Sequence, residues 1–470
     1  MTPSKKDKTI RYYHTGFTLG FCFLLACLLV YYFPCPAGAA TNSSNQLASP
    51  ASAGSSETTL PGHEKFSAQW GGHIKVRGNT AWPGAKSFIR PEGASPFYDG
   101  NSVFRLKNKL LFEDWAYFET HYVAAIVGGE IWRKINKMEE QYPASFDDRI
   151  IPGQTRDDSG RLMNLTWVLE ENDDFIVYNY LDRLCLTLLP EYGVIRAGRQ
   201  AVTWGNGLLF NPMDLFNPFS PSQIDRDYKI GDDMLFTQFP VSWLGNFQLL
   251  GVPRRNPTYN KVEWDQSSLA GKLHFAEGDT EFDVMAAKHY GDVVTGLGSC
   301  GYLLDAAWRL DGTWTFLNQD KGADGYLALV ANIDYSWVWW EKNFYGFLEF
   351  YFNGLCNNDY SAEYANPAIV DRLVRGEMFT MGRDYLSGNI RAEVHPLLNI
   401  YLTVINNLAD PSGILQPRAV WDVVQNLQLT LGANIYYGRE ETEYGGFPIP
   451  GTDLLNQPAD NLFLWLAYYF

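Results

Sequence analysis

The 470-residue sequence predicts an all-β chain: a transmembrane antiparallel β-barrel of about 16 strands (range 14–18), with one loop folded inward. Three observations lead there. Segments of about ten residues alternate apolar and polar side chains many times over, the period of a strand and not of a helix. The separators alternate too, short turns with long polar loops. The run "NLFLWLAYYF" puts Leu462, Leu464, Leu466, Tyr468 and Phe470 on one side at period two, an apolar stripe that must face a core or lipid.

A leader precedes the alternation. Lys5, Lys6, Lys8 and Arg11 make a basic start, Phe17 to Phe33 is an apolar run, and "AGAA" at 37–40 offers small residues for cleavage. A cleaved signal peptide is expected over 1–40; the alternative is an uncleaved anchor, since the run nearly reaches spanning length. Residues 41–64, rich in Ser, Ala and Thr, are expected to be a flexible segment. The barrel is expected over 65–470.

The strands follow in order. In 72–78, Ile74 and Val76 oppose His73, Lys75 and Arg77. In 103–113, Phe104, Leu106, Leu110 and Phe112 oppose Arg105, Lys107 and Lys109. In 175–189, Ile176, Tyr178, Leu184, Leu186 and Leu188 are expected outward, against Asn179, Arg183 and Thr187. The segment 326–340 sets Leu327, Leu329, Ile333, Tyr335, Trp337 and Trp339 against Asn332, Asp334 and Ser336; 389–395 and 426–438 alternate likewise. Short turns at 189–193 and 340–343 contrast with long polar stretches at 128–160, 255–266 and 353–377.

Composition narrows the function. Aromatics reach 15%, with 28 Tyr, which suits strands and interfacial girdles. Net charge is −16; without the four basic and one acidic residues of the leader it is −19, which argues against a nucleic-acid partner. Beyond the leader only Cys185, Cys300 and Cys356 remain, without a CxxC, and a Cys300–Cys356 bridge stays open. There is no HExxH, GxSxG or P-loop, and the His residues are scattered, so no enzyme, cofactor or metal site is expected.

The final stripe resembles the ending that outer-membrane proteins of Gram-negative bacteria present to their barrel-assembly machinery. A terminal Phe, an aromatic two residues earlier and alternating apolar residues upstream all match at Phe470, Tyr468, Leu466, Leu464 and Leu462. The resemblance covers about 65–470. It implies the bacterial outer membrane as location, with its lipid, lipopolysaccharide and assembly machinery as partners.

The stretch "VIRAGRQAVTWGNGLLFNPMDLFNPFSPSQIDRDYKIGDDML" (194–235) resembles a largely uncharacterised proteobacterial group of such barrels, in the style of alginate-export and substrate-specific porins. Gly198, Arg199, Gln200, Trp204, Gly205, Asn211, Pro212, Asp214 and Asn217 carry that match, and it implies no particular activity. Residues 204–235 are long, proline-stiffened and too apolar to be disordered, so a constriction loop packed in the lumen is expected. An external loop packed on its neighbours is the alternative. Its charges Asp225, Arg226, Asp227, Lys229, Asp232 and Asp233 are expected around the remaining opening, and Arg199, Gln200, Trp204, Asn211 and Asp214 are counted with the constriction-loop site.

Alternation also assigns a basic strip to the lumen: Lys75, Arg77, Arg105, Lys107 and Lys109. Glu119, Asp334, Glu349 and Glu393 are the expected lumen acids. Opposed charges in a low-dielectric tube select solutes, unless they neutralise one another as structural ion pairs. Inward aromatics such as Tyr345, Phe347, Tyr351, Tyr436, Phe463, Trp465 and Tyr469 would suit sugar-like or aromatic solutes. The expected function is a porin for passive diffusion of small hydrophilic solutes. The alternative is a plugged structural, adhesion or polymer-export barrel. Oligomeric state is not legible.

Overall fold

The computed structural model describes residues 56–58 and 66–470, apart from 91–95, 142–157, 242–244, 319–323, 364–365 and 450–452. The expected leader and nearly all of segment 41–64 lie outside the described residues.

Eighteen antiparallel strands close into one barrel. They are β1 (Phe66–Trp82), β2 (Phe97–Phe112), β3 (Ala116–Gly129), β4 (Phe175–Leu188), β5 (Val194–Gln200) and β6 (Asp232–Val241). Then come β7 (Gly245–Val252), β8 (Ser268–Glu277), β9 (Thr280–His289), β10 (Asp292–Leu303), β11 (Ala306–Phe316) and β12 (Gly325–Trp339). The last six are β13 (Lys342–Asn353), β14 (Asp384–His395), β15 (Leu398–Asn407), β16 (Ser412–Val424), β17 (Leu427–Tyr437) and β18 (Asp460–Tyr469). Each pairs with the next, and β18 closes on β1, with His73 opposite Tyr469 and Trp82 opposite Asp460. Closure leaves no strand edge to be satisfied in lipid. Eighteen is the upper end of the expected range. β5 and β7 have only seven and eight residues, too short for sequence alternation to stand out.

Short turns (113–115, 189–193, 278–279, 304–305, 340–341, 396–397, 425–426) gather at one end. Trp340 and Glu341 both have positive φ, the mirror-image turn whose twist matches a hairpin. At the other end lie the long connections 130–174, 201–231, 354–383 and 438–459. The outer wall is an apolar belt: Leu310, Ile333, Leu348, Ile390, Leu402, Leu431 and Leu464 are all exposed. Trp115, Tyr192, Tyr302, Trp339 and Trp340, near the short turns, form an aromatic girdle.

β4 corrects the alternation read from sequence. Its pairing with β3 slips between His121 and Tyr122, so that Asp182 is an extra, bulged residue. On one side of it Leu184 and Leu186 keep the outward parity. On the other side parity is reversed. Ile176 and Tyr178, expected outward, are buried with Ala125 and with Trp132 of helix α1 (Glu130–Gln141). Asp99 fixes the start of α1 by accepting from the Ile131 amide at 2.9 Å.

Candidate functional site

Residues 201–231 leave the wall at the end of β5, cross the lumen and return at Asp232 of β6. The expected loop 204–235 is therefore shifted: Asp232 and Asp233 are strand residues, as are Arg199 and Gln200.

The first limb is held by wall carboxylates. Asn206 donates its backbone N–H and its side-chain amide to Asp311 of β11, at 2.5 and 2.9 Å. The amides of Leu208, Leu209 and Phe210 donate to Glu349 of β13 at 2.7, 2.9 and 2.8 Å, and Asn332 adds a fourth bond at 3.1 Å. Three successive N–H groups cradling one buried carboxylate require a tight turn. Gly205 supplies part of it with φ +83°, and Asn211 Oδ1 lies 2.2 Å from where a Cβ would stand. Phe210 then stacks on Tyr351, ring centroids 4.3 Å apart.

The loop's middle buries apolar residues against the wall. Trp204, Met213 and Phe216 pack on Met234, Phe236, Leu250 and Met285. The Trp204 indole N–H donates to Gln248 at 2.7 Å, and Asn211 donates to the Trp204 carbonyl at 2.9 Å. Lys229 pairs with buried Asp214 at 2.5 Å and donates to the Val202 carbonyl.

The second limb reaches the opposite wall. Gln416 and Arg418 of β16 donate to the carbonyls of Ser222 and Ile224, at 3.0 and 3.4 Å. Lys75 of β1 pairs with Asp225 at 2.9 Å and with Asp227 at 2.5 Å, and Arg77 pairs with Asp225. Tyr228 lies under the Arg105 guanidinium at 4.1 Å and stacks on His73. Arg226 braces the loop from within, donating to the carbonyls of Leu208, Ser220, Pro221 and Gln223.

Several residues assigned to the constriction loop or the lumen lie elsewhere. Arg199 and Asp233 share the side of the wall that Ala197 and Leu235 present outward, yet both are buried. Residues 158–166 cover them. Arg199 binds Asp233 at 2.8 Å, Asp158 at 3.2 Å and the Met163 carbonyl at 2.8 Å, so it pins this strap. Asp232 pairs with Arg254 at 2.7 Å, and Gln200 donates to the carbonyls of Arg196 and Met234. Asp214 and Lys229 are buried against each other, and Glu349 is sealed by the first limb. Sequence spacing has no sight of the ion-pair partners, which lie 15 or more residues away along the chain.

Of the other expected acids, Glu119 pairs with His121 at 2.9 Å, Asp334 with Arg309, and Glu393 accepts from Asn343 at 3.2 Å. Arg105 is neutralised by Asp182 at 2.7 Å. Lys107 and Lys109 have no carboxylate within 4 Å among the described residues; Lys109 lies over Tyr117 at 4.0 Å. Three more cations on inward-facing strand positions share that state among the described residues: Arg196 over Phe236, Arg391 over Tyr345 and Arg418 over Tyr401. The alternation that selects Glu393 also points to Arg391, which the sequence reading omitted. Tyr345, Arg391, Tyr401 and Arg418 stand side by side in register across β13–β16.

At the long-loop end, Arg372 and 377–380 lie over the inserted loop. Helix α2 (Pro367–Val374) brings Arg372 to Asp292 at 2.5 Å, and Glu377 meets His289 at 3.2 Å. Between this lid and Leu209–Pro221 is a cavity of about 90 Å³. Glu443 fastens the lid's end, accepting from the Met381 amide at 2.7 Å and the Tyr385 hydroxyl at 2.5 Å. Cys185, Cys300 and Cys356 are free thiols.

Solved structures share this architecture. OccAB2 of Acinetobacter baumannii is 9% identical, with 86% of this chain and 98% of that one covered and a TM-score of 0.50. The fold is that of an outer-membrane barrel. A BenF-like porin from Pseudomonas fluorescens Pf-5 (11% identity, 86% and 98% covered, TM-score 0.47) is similar. So is the outer membrane protein OpdK of Pseudomonas aeruginosa (8%, 85% and 98%, 0.44). No family model and no curated protein matches the sequence.

Proposed function

We propose that this protein is a passive diffusion channel of the bacterial outer membrane, narrowed by residues 201–231 and favouring small hydrophilic anions. The observation that carries the reading is the charge balance of the inner wall. Lys107, Lys109, Arg196, Arg391 and Arg418 face the lumen without a carboxylate within 4 Å among the described residues, while of the expected acids Asp334 is paired with Arg309, Glu349 is buried beneath the loop, and Glu119 and Glu393 are left to His121 and Asn343. Unpaired cations in a low-dielectric tube raise the local concentration of anions.

The apolar belt and aromatic girdle support a place in lipid, in contact with lipopolysaccharide on the long-loop side. The motif of 194–235 adds a likeness to substrate-specific and alginate-export porins. Tyr345 and Tyr401, on either side of Arg391, would stack on a planar or sugar-like solute. Purified protein in planar bilayers is expected to give steady channels whose reversal potential, in a potassium chloride gradient, has the sign of chloride preference. Cation preference would overturn the reading. Silence would favour a plugged structural or polymer-export barrel, the reading suggested by the lid and α1 packed into the mouth.

A further inference from the structure

We propose that Asp225 and Asp227 act as a resident counter-anion: they occupy the place on β1 where a doubly charged anionic solute pairs with Lys75 and Arg77 in passing. This rests on the channel reading above and adds the charge class of solute that this part of the wall takes.

The contact is balanced, two cations against two carboxylates. Lys75 Nζ is 2.9 Å from both oxygens of Asp225 and 2.5 Å from Asp227, Arg77 pairs with Asp225, and the Tyr469 hydroxyl donates to Asp227 at 3.1 Å. It is also the wettest of the loop's ion pairs. The side chains of Asp225, Asp227 and Arg77 are 19%, 21% and 24% exposed, against 4% and 5% for the Asp214–Lys229 pair. Water reaches the acid side of the contact, while Lys75, at 6%, is buried beneath it.

The loop does not need this contact to stay folded. Arg226, between the two acids, is tied to four carbonyls of the loop itself, and the first limb is tied to Glu349 and Asp311 across the lumen. The two acid side chains can therefore swing off the wall while Ile224, Arg226 and Tyr228 keep the backbone of this limb seated. Exchange then depends on charge number. A dianion restores both ion pairs as the two carboxylates swing away. A monoanion leaves one cation unpaired in a partly dehydrated place, and a neutral solute displaces nothing.

The test is calorimetric titration of the folded, detergent-solubilised protein with succinate and with acetate. The Asp225→Asn/Asp227→Asn variant is expected to bind succinate about tenfold more tightly than the parent, because no resident anion has to leave. Acetate is expected to gain far less, and a further Lys75→Met change to abolish the succinate gain. Heat-modifiability on gels checks assembly. If the double variant does not assemble, Asp227→Asn alone should give an intermediate gain. Equal succinate affinity in parent and variant, or an equal gain for acetate, would overturn the proposal. The titration uses no current, so silent bilayers overturn the channel reading alone, and unchanged binding with open channels overturns this one alone.

Discussion

Asp182 and Arg105 meet at 2.7 Å, buried together on strands separated by β3. The partner exists because Asp182 is the extra residue of a bulge, and its other oxygen accepts from the Gly231 amide at 3.2 Å. One side chain thus neutralises the wall and tethers the returning loop. Asp182→Ala leaves a buried guanidinium without its counter-ion, at a cost of about 3–5 kcal/mol. The gel temperature at which the folded barrel is lost should fall clearly, and Asp182→Leu/Arg105→Met should recover much of it. Melting of the single variant at the parent temperature would show that the pair holds nothing.

Glu349 offers the sharpest test of the first limb. Glu349→Ala strips the acceptor from three loop amides, each lost buried bond costing about 1–3 kcal/mol. The barrel should still assemble, with single-channel conductance that is larger and noisier. Glu349→Gln, which keeps one acceptor oxygen, should do less. Parent-like current from the alanine variant would mean that Asp311 and apolar packing suffice.

Removing residues 208–222 should enlarge the bore further. The cut also deprives Glu349 of its donors, so it belongs in a Glu349→Gln background, where no buried carboxylate is stranded. Conductance above the parent's is expected. Parent-like conductance, or ready protease cleavage of the intact loop on whole cells, would show that the bore is set elsewhere.

Selectivity should follow the unpaired cations and not the paired ones. Arg391→Gln with Arg418→Gln should move the reversal potential toward cations more than Lys75→Gln with Arg77→Gln, because the latter pair is already balanced by loop acids. The shift should shrink near 1 M salt, where the Debye length is about 3 Å. Equal shifts from both double variants would contradict this assignment.

Acid should loosen the lid. Burial pushes the Glu377 carboxyl up, but His289, Arg375 and Arg372 outweigh it and hold the group down to about 2, below its ordinary 4.5. A lowered carboxylate contributes stability above its unfolded value and loses it as pH falls through the folded one. Docking of 372–380 should therefore be intact at neutral pH and weaken between about 4.5 and 2, read as amide protection, relative to the intrinsic exchange rate at each pH, that falls over this range. Glu377→Gln should show the loosened state already at neutral pH; protection that does not change with pH would contradict the role given to this pair.

Period-two alternation was enough to determine the barrel, most of its strands and the outward belt, because local pleating alone puts neighbours on opposite faces. The apolar, proline-stiffened stretch after Gln200 was likewise legible as a loop that has to pack on something. Tertiary structure decided the rest. Whether an inward charge is free or neutralised depends on partners such as Asp225 for Lys75 and Asp158 for Arg199, distant in sequence and joined only when the loop crosses the lumen. One inserted residue, Asp182, reversed the faces of Ile176 and Tyr178, since parity counted along a strand survives only while the register holds.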